Sequence, residues 1–223
     1  KLYPGEILGL AGLMGSGRTE LVRALFGLDK KVNGKLKISG NEVTIKNPQD
    51  AMKNGLAFIP EDRRRQGLVM EHSLKQNILA TNLSSLSHLS FLNFPKINKV
   101  VQDSITNFEV RPAEPNREVR LLSGGNQQKV VIAKWLATKP KIVLMDEPTV
   151  GVDIGTKVDI MKLVRSFADE GKAVILISSE LPELLSVCDR ILVIRKGEIA
   201  EELDRNEVKD EDHFQMIVQG IMK

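Results

Sequence analysis

Three short stretches of the chain carry residue types at spacings that suit phosphate chemistry. The first is Gly12-Leu13-Met14-Gly15-Ser16-Gly17-Arg18-Thr19. Glycines let successive backbone N–H groups converge on a phosphate, and a helix beginning directly after them adds the positive end of its dipole. Thr19 stands where a hydroxyl can ligate Mg²⁺. The pattern normally has lysine where this chain has Arg18, and a longer planar fork does not make the same phosphate contact as a compact ammonium. The second stretch is Asp146-Glu147, stopped by Pro148. One carboxylate there can hold Mg²⁺ directly or through water, and the next can orient or activate a water for attack on a γ-phosphate. The third is Ser123-Gly124-Gly125-Asn126, a serine and two glycines just before a helix, which form a second anion site by the same reasoning. Two such sites separated by a whole lobe suggest that the second serves a nucleotide held by another molecule.

These residues need elements to position them. An apolar run at 7–11 predicts a buried strand leading into the glycine loop, and the apolar spacing at 20–26 predicts the helix that leaves it. Residues 35–38 and 43–45 alternate around Gly40-Asn41, as in a half-exposed antiparallel hairpin. Asn47-Pro48 predicts an N-cap and first helical position, with the helix ending at Asn54-Gly55 and a buried strand at 56–59. Residues 61–67 look charged and loop-like, with Arg63-Arg64-Arg65 read as a solvated run. Helices are expected at 73–83, 97–108 and 127–137, around a serine-rich stretch at 84–94. The continuous apolar runs 141–145 and 173–177 predict strands buried on both faces of a parallel sheet. A helix at 157–168, a further element at 181–187, a strand at 191–194, a hairpin glycine at Gly197 and a last helix at 210–221 continue the alternation. Strand and helix in this order predict a doubly wound α/β sheet with a helical lobe inserted at about 61–138. Ligands of such sheets sit at the carboxyl ends of the strands, where Asp146 and Glu147 fall.

Composition narrows the function classes. The 223 residues suit one large domain or a core with a smaller lobe, and 42% hydrophobic with 27% charged content is ordinary for a globular chain. A net charge of +3 is too small to argue for nucleic acid as a partner. The single Cys188 excludes an internal disulfide, which fits a reducing compartment, and is expected to serve as a small packing residue. Trp135 is likewise expected to pack. No segment is long and apolar enough to span a bilayer and no signal peptide is seen, so membrane association is expected to come through a partner.

Taken together, the three stretches resemble the motifs of ATP-binding-cassette ATPases, a P-loop NTPase family with a parallel core sheet, a small antiparallel β part and an inserted helical lobe. Ser123 followed by Asp146 is close to that family's usual order of signature and then Walker B motif. Ile59-Pro60-Glu61-Asp62-Arg63, the stretch from Thr149 to Lys157, and Ser178-Ser179-Glu180 add a resemblance to the second nucleotide-binding domain of fused bacterial importers for ribose, galactose or xylose. It covers essentially the whole chain, read as one nucleotide-binding domain whose first strand or two lie upstream. The resemblance implies that Gly12, Met14, Gly15, Ser16, Gly17, Arg18, Thr19 and Glu20 bind ATP, and that Thr19 and Asp146 face Mg²⁺. It further implies that Glu147 is the hydrolytic base, with Ser179 where a γ-phosphate-sensing histidine usually stands. Ser123, Gly124, Gly125 and Asn126 would close over a nucleotide in trans, Asp153 would lie in the loop touching the sister domain, and Glu61, in place of the usual glutamine, would link Mg²⁺ to the transporter contact. His72, His88 and His213 do not occupy the place of the sensing histidine. Implied partners are a sister domain, membrane permease subunits and, indirectly, a sugar-binding protein, with the chain peripheral on the cytoplasmic face. Two other functions stay open: a soluble cassette acting on DNA or ribosomes, which would want a basic face or a long coiled coil, and a non-hydrolysing nucleotide-binding module, which Arg18 and Ser179 favour.

Overall fold

A computed structural model describes residues 1–30, 33–88, 91–208 and 210–221. Contacts divide it into two compact units. The first comprises Lys1–Phe58, Pro140–Pro148 and Met161–Lys223, and the second comprises Ile59–Lys139 and Thr149–Ile160.

The first unit is built on a mixed sheet. Its strands are β1 (Ile7–Ala11), β4 (Leu56–Ile59), β7 (Ile142–Asp146), β8 (Ala173–Ile177), β9 (Arg190–Arg195) and β10 (Glu198–Asp204), in the spatial order β10-β9-β1-β8-β7-β4. β1 runs parallel to both β8 and β9, and β7 runs parallel to β8. Every residue of β1 and β8 is buried, as continuous apolar runs require of strands covered on both faces. β10 is an antiparallel edge with a register shift between Ile199 and Glu201, turned from β9 through Lys196 and Gly197, both at positive φ. The register fixes the site: Leu10 and Asp146 both pair with Ile177, so the chain leaves β1, β7 and β8 at one end of the sheet.

Helix α1 (Arg18–Leu25) follows the glycine loop and packs on β7; α7 (Leu181–Val187) packs on β1, and α8 (Glu211–Gln219) on β9 and α7. α8 is capped by Asp210, whose side chain accepts from the His213 amide, and buries Phe214 completely. α2 (Pro48–Lys53) begins and ends where the sequence predicts, with the Asn47 side chain accepting from the Asp50 amide. The hairpin of β2 (Leu36–Ile38) and β3 (Asn41–Val43) does not. Its turn is Ser39-Gly40, both at positive φ, so the second strand starts two residues earlier than the alternation at 43–45 indicates.

The second unit is mainly helical: α3 (Leu74–Leu79), α4 (Phe94–Asn107) and α5 (Gly124–Leu136), with α3 packed on both others, and a two-stranded ribbon of β5 (Ser87–His88) and β6 (Phe91–Leu92) within the serine-rich stretch, whose residues 89 and 90 lie outside the described residues. Ser73 and Gln76 form a reciprocal capping box at the start of α3. The buried Asn77 amide bonds Val69, His72 and Ser73, holding the entry to that helix. Residues 63–67 are not a loop but one turn of π-helix, and the buried Lys134 ammonium ties its last carbonyl, that of Gly67. Burial lowers the Lys134 pKa to about 8. The unit also takes in 149–160, the start of α6 (Ile154–Asp169), a stretch that sequence order places with the core.

Cys188 is buried beside β1, and burial, followed by the Asp189 charge, raises its thiol pKa above the ordinary value. A Cβ on Gly9 would stand 2.8 Å from its Sγ and 3.2 Å from Ile191 Cγ1. Gly9→Ala should therefore destabilise the fold by about 1–3 kcal/mol through overpacking. Urea unfolding checks this, and Cys188→Ala in the same chain should recover part of the loss; an equally unstable double variant would rule out the contact as the cause.

Candidate functional site

The glycine loop earns its glycines one by one. A Cβ on Gly12 would meet Ile194 O and Ser16 Oγ, each at 2.5 Å, so nothing larger fits. Gly15 and Gly17 hold φ of 76° and 102°, the left-handed region that glycine adopts without strain. Gly17 is also the N-cap of α1, and no side chain caps that helix. The first-turn amides of Arg18, Thr19 and Glu20 are thus presented at the positive end of a helix dipole with no side-chain acceptor supplied from the cap. Ser16 Oγ is buried and has no hydrogen-bond partner. A buried orphan hydroxyl beside an uncapped helix start fits an anion with spare acceptors, as a phosphate has. Met14 is fully exposed, and the Glu20 side chain is exposed on the first turn.

Thr19 Oγ1 donates to Asp146 Oδ1 at 3.1 Å. This pair joins the first turn of α1 to the end of β7 and gathers two hard oxygen donors, a donor set that suits Mg²⁺. Glu147 follows at φ 47°, a left-handed conformation unusual for a residue with a side chain. Its amide donates to Ile177 O at 3.0 Å, and the carboxylate is largely buried. Ser179 Oγ donates to Glu147 Oε2 at 3.2 Å. The Arg18 guanidinium donates to Ser178 O at 3.3 Å and stands 4.0 Å from Glu147 Oε1. Glu147 thus meets both Ser179 and Arg18, three residues singled out separately in the sequence. Ser178 Oγ donates to the buried Glu183 at 2.7 Å and accepts from the Glu180 amide at 3.0 Å, which fixes the turn carrying Ser179.

In the second unit, Ser123 is the N-cap of α5 and is itself exposed. Its Oγ accepts from Asn126 Nδ2 at 2.9 Å, and Asn126 Oδ1 accepts from the Arg111 amide at 2.7 Å. The buried Gln127 amide donates to Val119 O and Leu122 O, closing the approach to the helix. Gly124 and Gly125 answer a packing demand as well: a Cβ on Gly124 would lie 2.8 Å from Arg63 Nη2, and one on Gly125 would lie 2.6 Å from Thr156 Oγ1. Asp153 caps α6, accepting from the Thr156 amide at 3.0 Å and its hydroxyl at 2.8 Å, and these bonds hold its pKa below the ordinary value. Glu61 is exposed ahead of the π-helix. Arg64 and Arg65 are solvated as expected, but Arg63 is not: its guanidinium donates to Val150 O and Gly151 O, and burial, then the Arg64 charge, lowers its pKa. Sequence reasoning missed Arg63 because a run of three arginines carries no sign of which one folds inward.

Comparison with known proteins bears on these groups. The family model for ABC transporter matches residues 1–150. The ribose import ATP-binding protein RbsA of Oceanobacillus iheyensis is 48% identical over 207 residues, 93% of this chain and 42% of that protein. Its namesake in Bacillus subtilis is 46% identical over 207 residues, again 93% and 42%. The chain thus spans less than half the length of these curated relatives. A nucleotide-free ATP-binding cassette from an ABC transporter shares the fold, with a TM-score of 0.78 at 24% identity over 97% of this chain and 89% of that one.

The Thr19–Asp146 geometry predicts that Thr19→Ala and Asp146→Asn each weaken nucleotide binding in the presence of Mg²⁺ by about tenfold, since each removes a hard oxygen ligand or the charge that holds one. Titration with a fluorescent ATP analogue, with Mg²⁺ and with a chelator, measures this. Unchanged Mg²⁺-dependent affinity in both variants would show that this pair does not form the site.

Proposed function

The chain is a member of the ABC transporter family, and from that premise we propose that it is one nucleotide-binding domain of a bacterial monosaccharide importer, an ATPase that offers its signature in trans to a sister domain. The uncapped start of α1, with the orphan Ser16 hydroxyl beside the Thr19–Asp146 pair, is the observation that carries nucleotide binding. Relatives named as ribose import ATP-binding proteins support the sugar class, and their greater length leaves room for a second cassette.

In this reading the amides from Gly15 to Thr19 bind the phosphates, and Thr19 Oγ1 with the Asp146 carboxylate would hold Mg²⁺, which would supply charge to neutralise them. Arg18, which donates to Ser178 O and stands near Glu147, keeps the positive charge that a lysine would bring to the phosphates. Glu147, held by its amide bond to Ile177 and by the Ser179 hydroxyl, takes the proton of the attacking water on a carboxylate oxygen. Ser179 orients that carboxylate but lacks the ring nitrogens of a histidine, so γ-phosphate sensing at this site is weaker. The signature from Ser123 to Asn126 is nearly intact, with Ser123 exposed at the start of α5, and the trans contribution is the stronger of the two. Glu61 and the helices after it face a membrane permease, which is fed by a sugar-binding protein, and the chain sits peripherally at the cytoplasmic face. No described helix is long and apolar enough to cross a membrane.

A second reading, a regulatory nucleotide-binding module with little hydrolysis of its own, is favoured by the contacts that hold Arg18 away from a lysine-like position. Steady-state ATPase of the assembled importer separates the two. Ser123→Arg should nearly abolish turnover by placing a bulky cation where a small hydroxyl and bare backbone meet phosphate, a loss on the order of hundredfold or more. Glu147→Gln should cost less than about tenfold, because it disables only the weaker site. Equal damage from both would mean that both sites turn over and that Arg18 and Ser179 mark no asymmetry.

A further inference from the structure

We infer that Arg63 is a positioning residue that clamps the sister-domain loop to the start of the signature helix, so that the two act as one rigid edge moved by the coupling segment. The inference rests on the reading above, in which that edge is offered in trans.

The clamp begins with a local turn. Asp62 Oδ1 accepts from the Arg64 and Arg65 amides, each at 3.1 Å, and starts the π-helix so that Arg64 and Arg65 reach solvent while Arg63 folds inward. Arg63 Nη1 donates to Val150 O at 2.7 Å and Nη2 to Gly151 O at 3.1 Å. Two bonds from one planar fork onto consecutive carbonyls fix orientation as well as distance, which a lysine ammonium cannot reproduce. Gly151 sits at φ 69°, so the loop bends back at the residue the fork holds.

The same guanidinium lies against Gly124, the first residue of α5. A Cβ there would be 2.8 Å from Nη2 and 3.0 Å from Gly151 O. The next residue, Gly125, lies against Thr156, whose amide and hydroxyl are bonded to Asp153. The contacts form a closed circuit: Arg63 to Val150 and Gly151, along the chain to Asp153, across to Thr156, then to Gly125 and Gly124 and back to Arg63. Every member belongs to the same compact unit. Glu61 lies two residues upstream, and its carbonyl accepts from the Arg63 amide at 3.1 Å. A displacement of Glu61 therefore reaches the sister-domain loop and the signature through one side chain.

The test uses the intact transporter, comparing Arg63→Ala, Arg63→Lys and, as reference, Ser123→Arg. Because a misplacement of order 1 Å costs up to about hundredfold in rate, Arg63→Ala should lower kcat about tenfold or more while KM for ATP stays within about twofold. Stimulation by sugar-loaded binding protein should be lost, Arg63→Lys should recover only part of it, and added methylguanidinium should restore part of the Arg63→Ala rate. A residue that served stability alone would lower the folded fraction and leave the stimulation ratio and the KM-against-kcat split untouched. If Ser123→Arg abolishes turnover while Arg63→Ala keeps kcat and stimulation, the clamp is wrong and the trans reading stands. If Ser123→Arg keeps full turnover, the trans reading fails and the clamp with it. Should Arg63→Ala not fold, Arg63→Lys, which keeps the stem and the charge but loses the fork, carries the test with the same readouts of kcat, KM and stimulation.

Discussion

One row of the sheet governs the chemistry of this protein. Leu10, Ile177 and Asp146 stand side by side across β1, β8 and β7, and the parallel register leaves no freedom in how the chain departs from them. The glycine loop must leave just beyond Leu10, Ser178 just beyond Ile177, and Glu147 just beyond Asp146. A one-residue slip in any of the three strands would reverse the side-chain direction of that strand and turn Asp146 from the Thr19 hydroxyl toward the opposite face. Burial of all five residues of β8 on both faces makes such a slip costly, since every apolar side chain in it would change surroundings. The precision of a polar cluster is thus set by the packing of aliphatic strands that never touch a ligand.

Much of the sheet was legible because its code is local. β1, β7 and β8 are short apolar runs bounded by glycine, proline or a carboxylate, and α2 is bracketed by Asn47-Pro48 and Asn54-Gly55, whose capping roles depend only on neighbours in sequence. What was not legible depends on contacts between distant residues. The alternation at 43–45 looked like the second hairpin strand, but two consecutive left-handed residues at Ser39-Gly40 make a tighter turn and pull the pairing to Asn41–Val43. The π-helix at 63–67 has no helical periodicity to detect. It exists because Asp62 caps it at one end and a buried lysine from α5 holds it at the other. The left-handed Glu147 could not be read from a dipeptide that any strand end might carry.

Glycines were the most ambiguous letters. Those of the first loop answer to backbone angle and close approach, as the phosphate argument demands. Gly124 and Gly125 would satisfy that argument too, yet each also has a neighbour, a guanidinium and a threonine, occupying the space its side chain would fill. Sequence can show that a side chain is missing; only the packed structure shows what stands in its place.

The strand order has a consequence for synthesis. β1 is translated well before its two neighbours in the sheet, β8 and β9, which begin at Ala173 and Arg190. Until those residues have emerged, the strand that launches the phosphate loop has neither of its partners, and the amides at the start of α1 have no braced scaffold. Pairings of such long sequence separation form late and slowly. While the segment between β1 and β8 is being made, a nascent chain therefore carries the complete glycine loop without a braced site for a nucleotide. The binding pocket comes into being late, when β8 and β9 close around a strand made long before them.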